Sequence, residues 1–328
     1  MGKKDGKMNF LRYGFIGVIV GVVCLINPIT QAADLSGDLM IFHAGSLSVP
    51  LKEVSEAFEK EHPGVKILRE AAGSRECARK ISDLGKRCDV LASADYAVID
   101  SLLIPAHAAW NIKFAGNEMI IAYTEKSKGG AEITADNWPT LLMREDVAFG
   151  RSDPNADPCG YRTVLTAKLA EKHYKLAGFA DALIKKDTRY MRPKETDLLG
   201  LLEAHAIDFL FIYRSVAEQH GLKWLPLPDE VNLKKPELAE LYRSVSVEIS
   251  GTTPGSKVTQ VGEPMVYGVT IPKNAPNPDA ALAFADFLLN KDKGMAIMVK
   301  NGQPGVVPSP TSTFDQIPDP LKKYATKQ

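Results

Sequence analysis

Leu39-Met40-Ile41-Phe42-His43, Val65-Lys66-Ile67-Leu68-Arg69 and Val90-Leu91-Ala92-Ser93 are three short apolar runs of strand length, separated by two segments of helical periodicity. The first run ends in Ala44-Gly45-Ser46. Pro50 then sits near a helix start, and Leu51, Val54 and Phe58 recur at helical spacing up to Glu61. His62-Pro63-Gly64 breaks that helix. The second run leaves through Ala71-Ala72-Gly73-Ser74, and Cys77, Ala78, Ile81 and Leu84 mark one face of the next helix. This β-α-β-α-β order predicts an α/β fold with a largely parallel sheet.

Further along, Met119 to Tyr123 reads as a strand, and the polar tract Thr124 to Gly130 as the place where the chain leaves a first lobe. Val147 to Gly150, Phe209 to Tyr213 and Val245 to Ile249 supply strands for a second unit, with helices from Tyr161 to His173 and Glu195 to Glu203. Met265 to Ile271 is a late strand followed by helical stretches Pro278 to Leu289 and Asp292 to Lys300, so the C-terminus is expected to rejoin the first lobe. The expected division is residues 34–123 plus 263–328 for lobe I and 124–262 for lobe II. No repeat is visible, which argues against solenoids.

The 328 residues carry 40 Lys+Arg and 40 Asp+Glu, with 45% hydrophobic and 24% charged side chains, the profile of a globular chain. Residues 1–32 differ from the rest. Lys3, Lys4, Lys7 and Arg12 precede an uncharged apolar run from Tyr13 to Ile26, and Thr30-Gln31-Ala32-Ala33 offers small residues for cleavage, so the stretch reads as a secretory signal peptide. The run is short for a membrane span, although a retained extracytoplasmic anchor is the alternative. Val22-Val23 before Cys24 disfavours lipidation, which wants a small residue there. Cleavage after Ala32 removes four basic residues and one acid, leaving 36 basic against 39 acidic. A mildly acidic exported chain without a basic, aromatic-laced stretch argues against nucleic acid as partner. Cys77 and Cys88 then either pair, leaving Cys159 over, or all three are buried thiols.

Four segments share one design, small or polar residues followed by a helix start: Gly45-Ser46, Gly73-Ser74, Asp157-Pro158-Cys159-Gly160 and Pro193-Lys194-Glu195. Amides of a first helical turn lack intrahelical partners and carry partial positive charge, so an anion fits there, with the serine hydroxyls as further donors. In open α/β sheets, ligands sit at the carboxyl ends of strands. Plain N-capping is the competing explanation. Scattered single histidines give no zinc spacing, His43 at a strand end reads as structural, and Gly251 to Lys257 lacks phosphate-loop order and reads as a surface loop.

His43 to Leu47, Arg69 to Ser74, Asp89 to Tyr96, Asp157 to Arg162, Arg192 to Glu195 and Phe211 to Ser215 together resemble the tungstate/molybdate-binding proteins of ABC uptake systems, in the archaeal-type branch, across residues 39–315. The resemblance implies a two-lobed periplasmic binding protein fold of type II, with mixed sheets flanked by helices and the ligand in the cleft between lobes. It implies that Gly45, Ser46 and Ser74 bind a tungstate or molybdate oxyanion from one lobe, and Asp157, Pro158, Cys159, Glu195 and Tyr213 from the other. It further implies a monomer in the periplasm that delivers its cargo to a permease, with no cofactor and no reaction catalysed. Relatives carry Ala where this chain has Cys159, a position expected to act through its backbone N–H.

Two carboxylates beside a dianion repel it, by about 4 kcal/mol for each contact at 4 Å and an effective dielectric of 20. Repulsion becomes attraction if Asp157 and Glu195 bind the metal, since Mo(VI) and W(VI) are hard centres that expand from four to six ligands, which sulfur in sulfate does not. Rival readings are a binder of sulfate or phosphate, or an exported hydrolase with Ser46 or Ser74 as nucleophile, for which no base and orienting acid stand out. Arg162, Arg192 and Arg214 neighbour these residues and are expected to form ion pairs or attract the anion from a distance.

Overall fold

The structure, a computed structural model, describes residues 1–3, 35–251, 253 and 255–328; nearly all of the expected signal peptide lies outside them. Residues Asp34–Gln328 form one compact unit. The chain begins β1 (Gly37–Ala44), α1 (Ser48–Glu61), β2 (Val65–Ala72), α2 (Ser74–Ser82), β3 (Val90–Ser93), α3 (Tyr96–Leu102) and β4 (Ile112–Gly116). It continues with β5 (Met119–Tyr123), α4 (Trp138–Leu142), β6 (Phe149–Ser152), α5 (Pro158–Tyr174), α6 (Phe179–Lys185) and β7 (Met191–Arg192). Next come α7 (Leu199–Glu203), β8 (Phe209–Tyr213), α8 (Arg214–Gln219), β9 (Lys223–Pro226), α9 (Ala239–Arg243), β10 (Ser246–Ser250) and β11 (Lys257–Val261). The last elements are β12 (Val266–Thr270), α10 (Pro278–Leu289), α11 (Gly294–Lys300), β13 (Ser309–Thr311) and β14 (Ala325–Lys327).

Two five-stranded mixed sheets organise these elements, in the orders β2-β1-β3-β12-β4 and β7-β6-β8-β5-β9. Each has a parallel trio, centred on β1 and on β6, and each has an antiparallel strand in fourth place, β12 and β5. In both cases that strand reaches its sheet directly from the other half. β5 follows β4 across Asn117-Glu118, and β12 returns from the second half. The late return of the chain to the first sheet matches the expectation from Met265 to Ile271.

The boundary expected at residues 123 and 124 is corrected by this topology. Met119–Tyr123 pairs with Phe209–Tyr213 and Lys223–Pro226, so it belongs to the second sheet. All of its residues but the last are buried, and a strand buried on both faces has no periodicity that marks one sheet over another. The tract after it is a turn inside the second half, where Asp208 Oδ1 accepts from the Lys128 amide at 2.9 Å. Three smaller corrections follow. Among the described residues β10 pairs only with β11, as a two-stranded ladder outside the second sheet. β6 lies two residues later than expected, because Arg151 and Ser152 are buried despite their polarity. Leu84 is 68% exposed, since α2 ends at Ser82 before the chain turns at Gly85 (φ 61°).

The core of the first half is closed by the C-terminal helices. Phe58 of α1 meets Phe284 and Phe287 of α10 edge-on, with ring centroids 5.4 and 5.6 Å apart. Such pairs add to the area that each ring buries. Phe58→Ala is therefore expected to cost about 3–5 kcal/mol of unfolding free energy, measured by chemical denaturation.

Candidate functional site

Five short segments converge between the two sheets. From the first half, β1 runs through Gly45–Leu47 into α1, and β2 runs through Gly73 into α2, whose first residue is Ser74. From the second half come the start of α5, the turn Glu195–Leu198 after β7, and Tyr213 at the end of β8. Asp157 caps α5, with Oδ1 accepting from the Cys159 amide at 3.3 Å, and Pro158 occupies the first helical position, where its missing N–H is not needed.

Glycine is required at two of these places because backbone and carboxylate approach too closely for a side chain. A Cβ on Gly73 would lie 2.3 Å from the Ala156 carbonyl oxygen and 3.1 Å from Asp157 Cβ. A Cβ on Gly45 would lie 2.9 Å from Thr196 Oγ1 and 3.1 Å from each carboxylate oxygen of Glu195. The two halves are thus in contact, with Glu195 pressed against the first turn.

Glu195 is 0% exposed, and among the described residues neither of its carboxylate oxygens has a hydrogen-bond partner. Its amide donates to Asp157 Oδ2 at 3.0 Å, which sets the two acids side by side. Burial, reinforced by the Asp157 charge, raises the Glu195 pKa well above the usual carboxylate range. Burial raises that of Asp157 too, against the hydrogen bonds that hold its anion. A buried carboxylate without donors is costly unless something electrophilic meets it.

The serines have the opposite surplus. Ser46 Oγ accepts from the Tyr267 hydroxyl at 3.1 Å, and Ser74 Oγ accepts from the Ala94 amide at 2.9 Å. Each hydroxyl keeps its own proton for an acceptor. Gln303 Nε2 donates to the Ser46 carbonyl at 3.0 Å and so fixes the turn. Neither serine oxygen is bonded to a base. His43 is buried with Nδ1 at 2.8 Å from the Ala44 carbonyl, and burial lowers its pKa to about 4, as a structural neutral imidazole.

Tyr213 joins the site through Arg162. The Arg162 Nη1 donates to the Tyr213 hydroxyl at 3.0 Å and across to the Ala94 carbonyl at 2.7 Å, and Nη2 pairs with Asp95 at 3.3 Å. Tyr161 donates to the same Asp95 at 2.5 Å. Burial disfavours the Arg162 charge, yet Tyr213, Asp95 and Tyr161 outweigh it and hold the pKa above its usual value. Of the other arginines, Arg214 pairs with Glu118 and Glu218, and Arg192 donates to backbone carbonyls. The Cys159 thiol points to the Phe211 carbonyl at 3.6 Å, and burial raises its pKa well above normal, so it is inert. Cys77 and Cys88 are buried free thiols.

Every residue expected at the site lies on one of these segments. Sequence reasoning missed Tyr267, Gln303 and Ser152, whose buried Oγ lacks a partner. Tyr267 and Gln303 sit near the C-terminus and reach Ser46 only through the placement of β12 and α11, for which no local pattern exists.

Two α/β halves, joined by strand crossings and closed over buried donors and acids, define a clamp for a small solute. The chain belongs to the bacterial extracellular solute-binding protein family, which it matches over residues 39–303. That family acts outside the cytoplasm. An uncharacterised solute-binding protein of Petrotoga mobilis is 48% identical, covering 92% of this chain and 94% of the relative. The molybdate/tungstate-binding protein WtpA of Pyrococcus abyssi is 41% identical, covering 91% and 93%. Among solved structures, the periplasmic molybdate-binding protein of Azotobacter vinelandii shares the fold, with TM-score 0.59, 16% identity, and coverage of 82% of this chain and 99% of that one. The sulfate-binding protein SubI of Mycobacterium tuberculosis shares it as well, with TM-score 0.58, 13% identity and coverage of 82% and 87%.

The raised Glu195 pKa gives a direct test. In oxyanion-free buffer, Glu195→Gln is expected to gain stability relative to the wild type as pH rises above the ordinary glutamate value, because the wild-type carboxyl ionises less readily in the folded chain than in the unfolded one, whereas glutamine does not ionise. Denaturant titration of both proteins across that pH range measures it; a variant that loses stability relative to the wild type as pH rises would mean that the carboxylate has a structural partner.

Proposed function

We propose that this protein captures tungstate or molybdate between its two halves and delivers it to the permease of an ABC transporter, as a periplasmic, monomeric binding component that breaks no bond. The observation that carries the reading is the Glu195 carboxylate, buried without a donor beside Asp157 and Gly45. The Ser46 and Ser74 hydroxyls and the first-turn amides would receive the oxyanion's oxygens, and Asp157 and Glu195 would approach its metal. Sulfate has donors to use here, but its sulfur has no use for two carboxylates, which then only repel it. The names of the relatives in Pyrococcus abyssi and Thermococcus kodakarensis, both molybdate/tungstate-binding, support the same cargo.

In this reading the halves are lobes that move about the crossings at Asn117-Glu118 and Glu263-Pro264, with β5 counted in the second. The serines of one lobe and the acids of the other meet only on closure, so the ligand shifts the equilibrium by its differential affinity for the closed form. The Arg162, Asp95 and Tyr161 cluster joins the lobes beside the site, and the closed outer surface would be what the permease receives.

Calorimetry and thermal shift with tungstate, molybdate, sulfate and phosphate test the proposal. Tungstate or molybdate should bind one to one, and at 100 times the dissociation constant should stabilise the fold by about 2.7 kcal/mol. Glu195→Gln should weaken tungstate by roughly tenfold or more, about 1.4 kcal/mol, and leave sulfate no weaker. Gly73→Ala, which obstructs closure at Ala156 and Asp157, should weaken all bound oxyanions. Equal binding of sulfate and tungstate to the wild type would refute the cargo.

A further inference from the structure

Apart from the site, a second set of bonds joins the two halves. Arg75 and Arg79 lie one helical turn apart on α2, immediately after Ser74, and so share a face. Arg75 Nη2 donates to the Ser250 carbonyl and its Nε to the Asn155 carbonyl at 3.2 Å. Arg79 Nη2 donates to the Gly251 carbonyl at 2.7 Å and to the Ser250 carbonyl at 3.3 Å. Among the described residues neither guanidinium forms an ion pair, and Arg79 Nε is buried without a partner. Two cations are therefore spent on backbone oxygens of the opposite half.

Those oxygens belong to one hydrogen-bonded corner. Asn155 Oδ1 accepts from both the amide and the hydroxyl of Ser250 at 2.9 Å, which ties the β10–β11 hairpin to the loop ahead of α5. Lys168 and Lys172 of α5 hold the foot of the hairpin through the Ser246 and Ser244 carbonyls. The Glu76 amide adds a bond to the Ala156 carbonyl at 3.3 Å. The loop gripped by Arg75 ends two residues later at Asp157. Bonds from arginine to uncharged carbonyls are charge-assisted and lose little when opened to water, so they suit a contact that must form and break.

We infer that Arg75 and Arg79 are positioning residues that clasp the β10–β11 hairpin and the Asn155 loop when the halves meet, setting the lifetime of the closed form and the placement of Asp157. The inference rests on the capture of an oxyanion by closure. It predicts an effect on release, because the clasp forms only in the closed form, which must open before the anion leaves.

Labelled molybdate, bound to the full chain and chased with unlabelled molybdate, measures release directly. Arg75→Met and Arg79→Met should each speed release roughly tenfold, with association changed by less than about threefold. The ligand-free melting temperature should stay the same, while the ligand-induced rise shrinks. Arg79→Lys should recover part of the slow release, and Asn155→Ala combined with Arg79→Met should cost less than the sum of the two. Unchanged release rates would overturn the inference, as would a ligand-free melting temperature that falls as far as the ligand-bound one. A wild type that binds no molybdate would overturn the reading beneath it, which distinguishes the two failures.

Discussion

A carboxylate enclosed without a hydrogen-bond donor is the constraint around which the centre of this protein is arranged. Glu195 can be there only because Asp157 receives its amide, because Gly45 leaves room for its oxygens, and because the turn from β7 is held between the two halves. Each of these is a cost in isolation. Together they set a buried carboxyl, reluctant to ionise, close to the Ser46 turn of the opposite half. Donors alone would define an anion site of low discrimination, and acids alone a cation site. The proposed oxyanion fits the combination, with electronegative oxygens outside and an electrophilic centre inside.

The topology makes this combination conditional. The Ser46 and Ser74 hydroxyls come from one half and both acids from the other, and the fourth strand of each sheet comes directly from the opposite half, so the halves are joined by two crossings. Contacts beside the site, such as Arg162 with Asp95, are buried ion pairs that contribute little net energy compared with their hydration when open. That balance is useful in a clamp. A joint worth many kcal/mol would hold the molecule shut without cargo, whereas a nearly neutral one lets the cargo decide.

Much of this was legible in the chain because strand and helix ends obey local rules. β3, β5, β8 and α10 fall on the residues that apolar runs and caps indicate, and the four helix starts all lie at the site. β9 and β11 escaped notice because Pro226 ends one and the other, Lys257–Val261, is mostly exposed and lacks an apolar face. β4 was missed as well, and nothing in its sequence separates it from neighbouring loops. The sheet to which β5 belongs could not be read, since an entirely apolar strand fits the centre of either. At the site, the capping role of Asp157 is a local pattern. The isolation of Glu195 is not, for it depends on what sits across from it in space.

The exchange of fourth strands also governs how the molecule is made. β3 is exposed along one edge until β12 arrives, and about 170 residues separate Ser93 from Val266. At roughly 5–20 residues per second, a ribosome needs on the order of ten seconds or more to supply the missing strand. Throughout that interval the nascent first sheet has an open, apolar edge of the kind that recruits other chains. The second sheet waits about half as long, since about 86 residues separate Tyr123 of β5 from Phe209 of its partner β8. The order of synthesis therefore favours a second half that folds first and a first half that is completed on it, so that the clamp is assembled from its middle outward.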